Sequence, residues 1–133
     1  MRARNIKPGF FENEELHELS IETRLIFIGL WCMADREGRL EDRPKKIKLQ
    51  LVPYDSVDVE ASLNELSSHG FILRYQADDH RFIQIVNFLK HQHPHRNETA
   101  SVIPPPGEAI NKERTSTAQT PIDEVITKET TPH

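Results

Sequence analysis

The chain of 133 residues contains one cysteine, Cys32, and no long apolar run. A single cysteine cannot form an internal disulfide, and this one lies in an apolar helical stretch, where a buried, inert thiol is expected. Crossing a bilayer requires roughly 20 apolar residues in succession, and no segment approaches that length. The amino terminus lacks the apolar core of a secretory signal. These absences predict a cytoplasmic protein that makes no membrane contact.

Catalytic motifs are absent as well. The sequence has no GxxxxGK[ST] phosphate loop, no GxSxG nucleophile motif and no HExxH metal motif. Its acidic residues show no spacing that acid–base chemistry would require. We therefore expect a non-enzymatic protein without a cofactor.

The formal net charge is -4, but the charge is unevenly distributed. Residues 1–96 carry 14 Lys or Arg against 15 Asp or Glu, whereas residues 97–133 carry 3 against 6. The latter segment contains Pro104–Gly107 and few large apolar residues, so it cannot bury enough surface to offset chain entropy. We expect a nearly neutral domain followed by a disordered linker or tail at residues 97–133.

The first long helical pattern follows Ser20, a residue type that favours a helix N-cap. Four of its apolar residues share one face at helical spacing: Ile21, Leu25, Ile28 and Cys32. Further apolar residues widen that face until little of the helix is polar. Such a helix is predicted to lie in the middle of a small domain.

Two more helices and a hairpin follow. Pro44 at a first helical position and Pro53 bound the second helix, and the third runs from Asp55 or Ser56 to a stop at His69–Gly70. The segments Phe71–Tyr75 and Arg81–Ile85 alternate as paired strands do. Gly38–Leu40 is a candidate third strand beside them.

This order is typical of a winged helix-turn-helix, an α+β fold with a three-helix core and a β-hairpin wing. We expect the domain at residues 10–96, after a basic arm at residues 1–9. Such domains place a helix and a hairpin against a nucleic-acid duplex.

Basic residues occur where such a fold would meet DNA, and each phosphate contact would make binding depend on salt. The candidate phosphate contacts are Arg2, Arg4 and Lys7 in the arm, Arg39, Arg43, Lys45, Lys46 and Lys48 in and before the second helix, and Lys90 and Arg96 near the end of the domain. On the third helix, Ser62 and Asn64 are the candidate base-edge contacts.

Carboxylates on the third helix and the wing oppose the usual docking mode, because phosphate would repel them. They are Asp58, Glu60 and Glu65 on the helix, and Asp78 and Asp79 at the wing tip. They favour an alternative in which the domain self-associates or docks a basic replication partner such as a helicase loader. A transcription repressor is a further alternative, because fold does not fix function.

The histidines His91, His93 and His95 alternate, and three imidazoles on one side of an extended chain could hold a metal ion. Pro94 bends the chain, however, and no cysteine joins them. An anion contact shared with Lys90 and Arg96, or capping and packing at the domain edge, is therefore favoured over a metal site.

Three strings of the sequence resemble the amino-terminal domain of phage and prophage replication proteins, the group associated with replisome organisers and helicase loaders. They are Arg4–Phe11 with Asn13–Leu16, Leu30–Pro44 and Phe88–His95. The resemblance covers roughly residues 2–104. It implies a winged-helix fold, DNA binding and a role in phage DNA replication, and it supplies no catalytic residue.

Overall fold

Six helices and a three-stranded antiparallel sheet make up residues 1–107, the part of the chain that this computed structural model describes. In chain order they are α1 (Pro8–Glu12), α2 (Glu14–His17), α3 (Ile21–Met33), β1 (Arg39–Glu41), α4 (Pro44–Leu51), α5 (Val59–Ser68), β2 (Ile72–Ala77), β3 (His80–Ile85) and α6 (Phe88–His91). The expected α+β class is confirmed. Most of the predicted tail lies outside the described residues.

Local sequence explains where α3 and α5 begin. The Ser20 hydroxyl accepts a hydrogen bond from the backbone N–H of Thr23 at 3.1 Å. The Asp58 carboxylate accepts one from the N–H of Ala61 at 3.0 Å. Each cap satisfies a backbone donor that a helix start leaves without a partner. The cap of α5 is therefore Asp58, a few residues later than the sequence predicts.

The sheet has the strand order β1-β3-β2. Strands β2 and β3 are joined by a two-residue turn in which Asp78 and Asp79 have positive φ angles of 52° and 63°. Both central residues of a type I′ hairpin turn need this conformation, which Asp adopts more readily than most residues. The hairpin is confirmed, and its strands extend closer to the turn than predicted. The candidate strand near Leu40 is also confirmed, as β1, with Leu40 opposite Ile83.

The core lies where α3, α4 and α5 meet one another and α5 meets β2. Its fully buried side chains include Ile26, Leu30, Ile47, Leu63, Leu66, Ile72 and Ile83. None of the helices among residues 1–107 is long and apolar enough to cross a membrane.

The wide apolar face predicted for α3 is buried only in part. Ile21 is 71% exposed and Leu25 is 53% exposed, so the face predicted to be internal turns partly to solvent. The buried face instead carries Thr23, whose hydroxyl donates to Glu65 of α5 at 2.6 Å. Apolar residues occur on most sides of α3, so periodicity could not predict which side is buried. The side that is buried carries the polar contact between Thr23 and α5.

Gly38 precedes β1 with a φ of +81°, and an added Cβ atom would lie 2.6 Å from the Cβ of Phe88. We predict that Gly38→Ala lowers the free energy of unfolding by about 2–4 kcal/mol, because it combines backbone strain with overpacking. Urea denaturation measures this loss. Gly107→Ala is the matched control, since an added Cβ there meets nothing within 4 Å. Equal stability of the two variants would contradict the packing described for Gly38.

Candidate nucleic-acid interface

Exposed cations lie together where β1 ends and α4 begins. Arg43, Lys45 and Lys46 are exposed at this start. Arg81 of β3, 61% exposed, lies beside them because its carbonyl accepts the backbone N–H of Asp42 at 2.9 Å. We call these four residues the junction cluster. Arg81 was not among the predicted contacts, because only the sheet pairing brings it next to Asp42.

A buried ion pair lies beneath the junction cluster. The Asp42 side chain is fully buried, and the Arg74 side chain is 11% exposed. Arg74 Nε donates to Asp42 Oδ2 at 2.7 Å, and Arg74 Nη2 donates to Oδ1 at 2.9 Å. Paired hydrogen bonds of this kind fix both distance and orientation. The contact joins β2 to the residue that precedes α4.

The same guanidinium also holds two side chains of α5. Arg74 Nη1 donates to Glu60 Oε2 and to Asn64 Oδ1, both at 2.9 Å. Hydrogen bonding to Asp42, and then to Glu60, raises the pKa of Arg74, so it stays charged. The hydrogen bond from Arg74 is the largest cause that lowers the pKa of Glu60 below its ordinary value of 4.5. Glu60, one of the acids expected to repel phosphate, is thus paired within the fold.

The start of α4 is electrostatically unusual. Its first turn contains no acidic residue, and Arg43 at the N-cap makes no side-chain cap hydrogen bond. Cations near the positive end of a helix dipole are unfavourable, whereas anions there gain about 0.3–1 kcal/mol each. Glu41 offsets part of this positive charge, since its carboxylate lies 3.6 Å from the Lys46 ammonium. The pair is exposed, and exposed ion pairs contribute little to stability. The arrangement suits an external anion better than it suits the isolated helix.

The amino-terminal arm is anchored to the domain, which corrects the prediction for Arg4. Its side chain is 4% exposed and lies 2.9 Å from Glu98, and its Nε donates to the Trp31 carbonyl at 2.9 Å. Arg2 also pairs with Glu98, at 2.9 Å. The last carbonyls of a helix need donors, and these arginines supply them to α3. Arg4 cannot reach a phosphate, and Arg2 would have to release Glu98 to do so.

The hydrogen bond from Arg4, ahead of the charges of Arg4, Arg2 and Arg36, is the largest cause that lowers the pKa of Glu98 below its ordinary value of 4.5. Arg4 also lies over the ring of Phe88, 5.1 Å from its centroid. Residues 2–4, α3 and the segment after α6 therefore form one connected structure. The basic arm is part of the domain edge rather than a flexible extension.

Two other cations predicted to contact phosphate instead make hydrogen bonds within the domain. Arg39 Nε donates to Gln84 Oε1 at 2.9 Å, which fastens β1 to β3. Lys48 Nζ donates to the backbone carbonyls of Val52 and Asp55. Both side chains are half-buried, so neither belongs to the exposed basic surface.

The two predicted base-edge contacts are also engaged. Ser62 is 4% exposed, and its hydroxyl is hydrogen-bonded to the Thr23 hydroxyl, with the two oxygens 2.9 Å apart. It cannot touch a base, which makes that prediction wrong. Asn64 is exposed, but its side-chain oxygen Oδ1 already accepts a hydrogen bond from Arg74. Sequence spacing placed Ser62 on a polar face, and packing of α3 on α5 buried it.

Lys7, Lys90 and Arg96 lie in another part of the fold. Lys7 is half-buried at the N-cap of α1, whereas Lys90 and Arg96 are exposed in and after α6. Lys7 belongs to the arm, and the segment after α6 contacts the arm through Gln92 with Asn5 and Glu98 with Arg4.

The three alternating histidines form no metal-binding group within residues 1–107. The group there with suitable geometry consists of Glu15, Glu18 and His69, whose ligand atoms lie within 4.8 Å of one another. His69 Nδ1 is 3.1 Å from Glu15 Oε2. Sequence reasoning missed this group because 54 residues separate Glu15 from His69.

Most of the acidic side chains predicted for the alternative protein-docking surface also make contacts within the domain. Asp58 caps α5, Glu60 pairs with Arg74, and Glu65 accepts a hydrogen bond from Thr23. Asp78 and Asp79 remain exposed at the hairpin turn. Asp58 and Glu60 remain exposed at the start of α5, whereas Glu65 is half-buried.

Comparisons with protein-family models, with curated proteins and with solved structures found no match. Function must therefore be inferred from the geometry and charge of the candidate interface.

We predict that Arg74→Met lowers the free energy of unfolding by about 3–5 kcal/mol, because it leaves the buried Asp42 carboxylate without its partner. Arg81→Met is the matched control. Arg81 also lies near Asp42, at 3.6 Å, but it is mostly exposed, so its loss should cost about 0–1 kcal/mol. Denaturation with urea compares the two variants. A smaller loss for Arg74→Met than for Arg81→Met would contradict the description of the buried pair.

Proposed function

We propose that the fold is a winged helix-turn-helix and that the chain is a non-enzymatic DNA-binding module of phage or prophage DNA replication. The order α3-β1-α4-α5-β2-β3 supports the fold, with three central helices and β2–β3 as the hairpin wing. The pairing of β1 with β3 supports it further. The role in replication is supported by the resemblance of the sequence to phage replication domains.

The junction cluster is the observation that carries the proposal. It combines three exposed cations at a helix start with Arg81 from the neighbouring strand. Phosphate binds well at such a start, because backbone N–H groups and the helix dipole both favour negative charge. Release of counterions from DNA adds affinity for each neutralised phosphate. A backbone phosphate would supply the anion that the first turn of α4 lacks.

The geometry favours contacts to the DNA backbone over contacts to base edges. Ser62 is buried and Asn64 is held by Arg74, so α5 offers few free groups for reading a sequence. Contacts to phosphates position a protein but carry no sequence information. This difference favours a replication module over a transcription repressor, which must recognise its operator.

We predict that the triple variant Arg43→Gln, Lys45→Gln and Lys46→Gln binds a short DNA duplex at least about tenfold more weakly at low salt, with a salt slope shallower by about 2–3. Fluorescence anisotropy over a salt series measures both quantities. Lys48 is left intact because it supports the chain after α4.

The matched control is the triple variant Lys7→Gln, Lys90→Gln and Arg96→Gln, which removes the same formal charge from the other part of the fold. Its affinity should fall only slightly, and its salt slope should remain close to that of the parent protein. Equal losses in the two triple variants would show that net charge, and not the junction cluster, determines binding. Absence of DNA binding by the parent protein would reject the function outright.

A further inference from the structure

Tyr54 is 97% exposed, the largest exposure among the large hydrophobic side chains of residues 1–107. It lies in a tight turn after α4, in which the backbone N–H of Asp55 donates to the carbonyl of Val52 at 3.3 Å. Pro53 occupies the second position of this turn, where its fixed φ angle is favourable. Tyr54 follows at the third position, at the tip of the turn.

Lys48 fastens this turn to α4. Its Nζ donates to the carbonyls of Val52 and Asp55, the residues that begin and end the turn. The backbone carbonyl of Lys48 also accepts the N–H of Val52 at 3.0 Å. The backbone beneath Tyr54 is therefore held by three hydrogen bonds to one lysine. An aromatic ring presented from a fixed turn loses little conformational entropy when a ligand covers it.

A single exposed apolar side chain is common on protein surfaces, but Tyr54 has an exposed apolar neighbour in the same part of the chain. Leu49 of α4 is 72% exposed. Lys45 precedes it by four residues, which places both on one side of the helix. This side of α4 thus runs from Lys45, one member of the junction cluster, past Leu49, towards the turn that carries Tyr54. The eight residues of α4 span only about 12 Å.

We propose that Tyr54 is a binding site for an unpaired nucleobase, which stacks on its ring while the junction cluster holds phosphates of the same single strand. Proteins that bind single strands combine a basic surface with aromatic rings in this way. In a duplex the base faces are already stacked, so an exposed ring gains most from an unpaired base. Stacking tolerates any base, which agrees with the lack of base-edge contacts from α5. The inference rests on the proposed function and extends it from duplex to single-stranded DNA.

The test compares Tyr54→Ala and Tyr54→Phe in the full chain. The probes are an oligodeoxythymidylate of about ten nucleotides, within the site size of a small binding domain, and a short blunt-ended duplex. Tyr54→Ala should weaken single-strand binding about 5- to 100-fold, the loss expected for one stacked base. Tyr54→Phe retains the ring and should bind within about twofold of the parent. Neither variant should change duplex affinity or thermal stability, because the side chain is exposed.

Fluorotyrosine NMR gives a second, direct readout. The chain has two tyrosines, and Tyr75 is 4% exposed with its hydroxyl donating to the Pro104 carbonyl at 2.7 Å. The oligonucleotide should shift the Tyr54 resonance and leave the Tyr75 resonance in place.

Three results would overturn the inference while leaving DNA binding intact. They are unchanged single-strand affinity of Tyr54→Ala, an equal loss for Tyr54→Phe, and an equal loss on the duplex. A parent protein that binds neither probe would instead reject the proposed function, and the role of Tyr54 with it. The junction-cluster variant distinguishes the two failures, because its duplex affinity depends on phosphates and not on Tyr54.

Discussion

The ion pair between Asp42 and Arg74 is the constraint on which the geometry of the basic surface depends. A buried carboxylate is tolerated only when it is paired and hydrogen-bonded, and Asp42 meets this condition mainly through the Arg74 guanidinium, with Arg81 a more distant second partner at 3.6 Å. Arg74 comes from β2, and Asp42 immediately precedes Arg43, the N-cap of the helix that carries the cations. The pair therefore sets how the start of α4 lies against the β2–β3 hairpin. Because Arg74 also binds Glu60 and Asn64, the same contact fixes the orientation of α5.

Arginines elsewhere in the chain have a different role. Arg4, with Glu98, fills the end of α3 and fixes the path of the first residues, so positive charge in the arm stabilises the domain edge. Around α4 the arrangement differs, because the acid Asp42 is buried with Arg74, whereas the cations at the start of the helix are exposed. One exposed acid, Glu41, lies 3.6 Å from Lys46. This distribution explains how a chain with a net charge of -4 can present a local site for a polyanion. The electric field near such a site depends on the arrangement of the nearby charges and much less on the net charge of the protein.

Much of the fold could be predicted from short-range chemistry. Ser20, Pro44 and the alternating strands located helices and hairpin, because caps, proline and strand periodicity act within a few residues. The inward face of α3 could not be predicted, since apolar residues occur on most sides of that helix and only the contact of Thr23 with α5 distinguishes them.

Contacts between residues distant in sequence also limited what could be predicted of the candidate site. Lys45 and Lys46 were identified by composition, whereas the burial of Ser62 and the pairing of Arg4 depend on residues distant in sequence. Tyr54 gave no signal beyond its position after Pro53, because its exposure follows from the hold of Lys48 on the turn.

We propose that the first turn of α4 receives a DNA phosphate, and NMR mapping of backbone amide shifts during titration with a DNA duplex at low salt tests this most directly. We expect the largest changes at the amides of Lys45 and Lys46 and at Arg81, and we expect them to diminish as salt is added. Changes centred on Lys90 and Arg96, or on the Asp78–Asp79 turn, with the first turn of α4 unaffected, would contradict it.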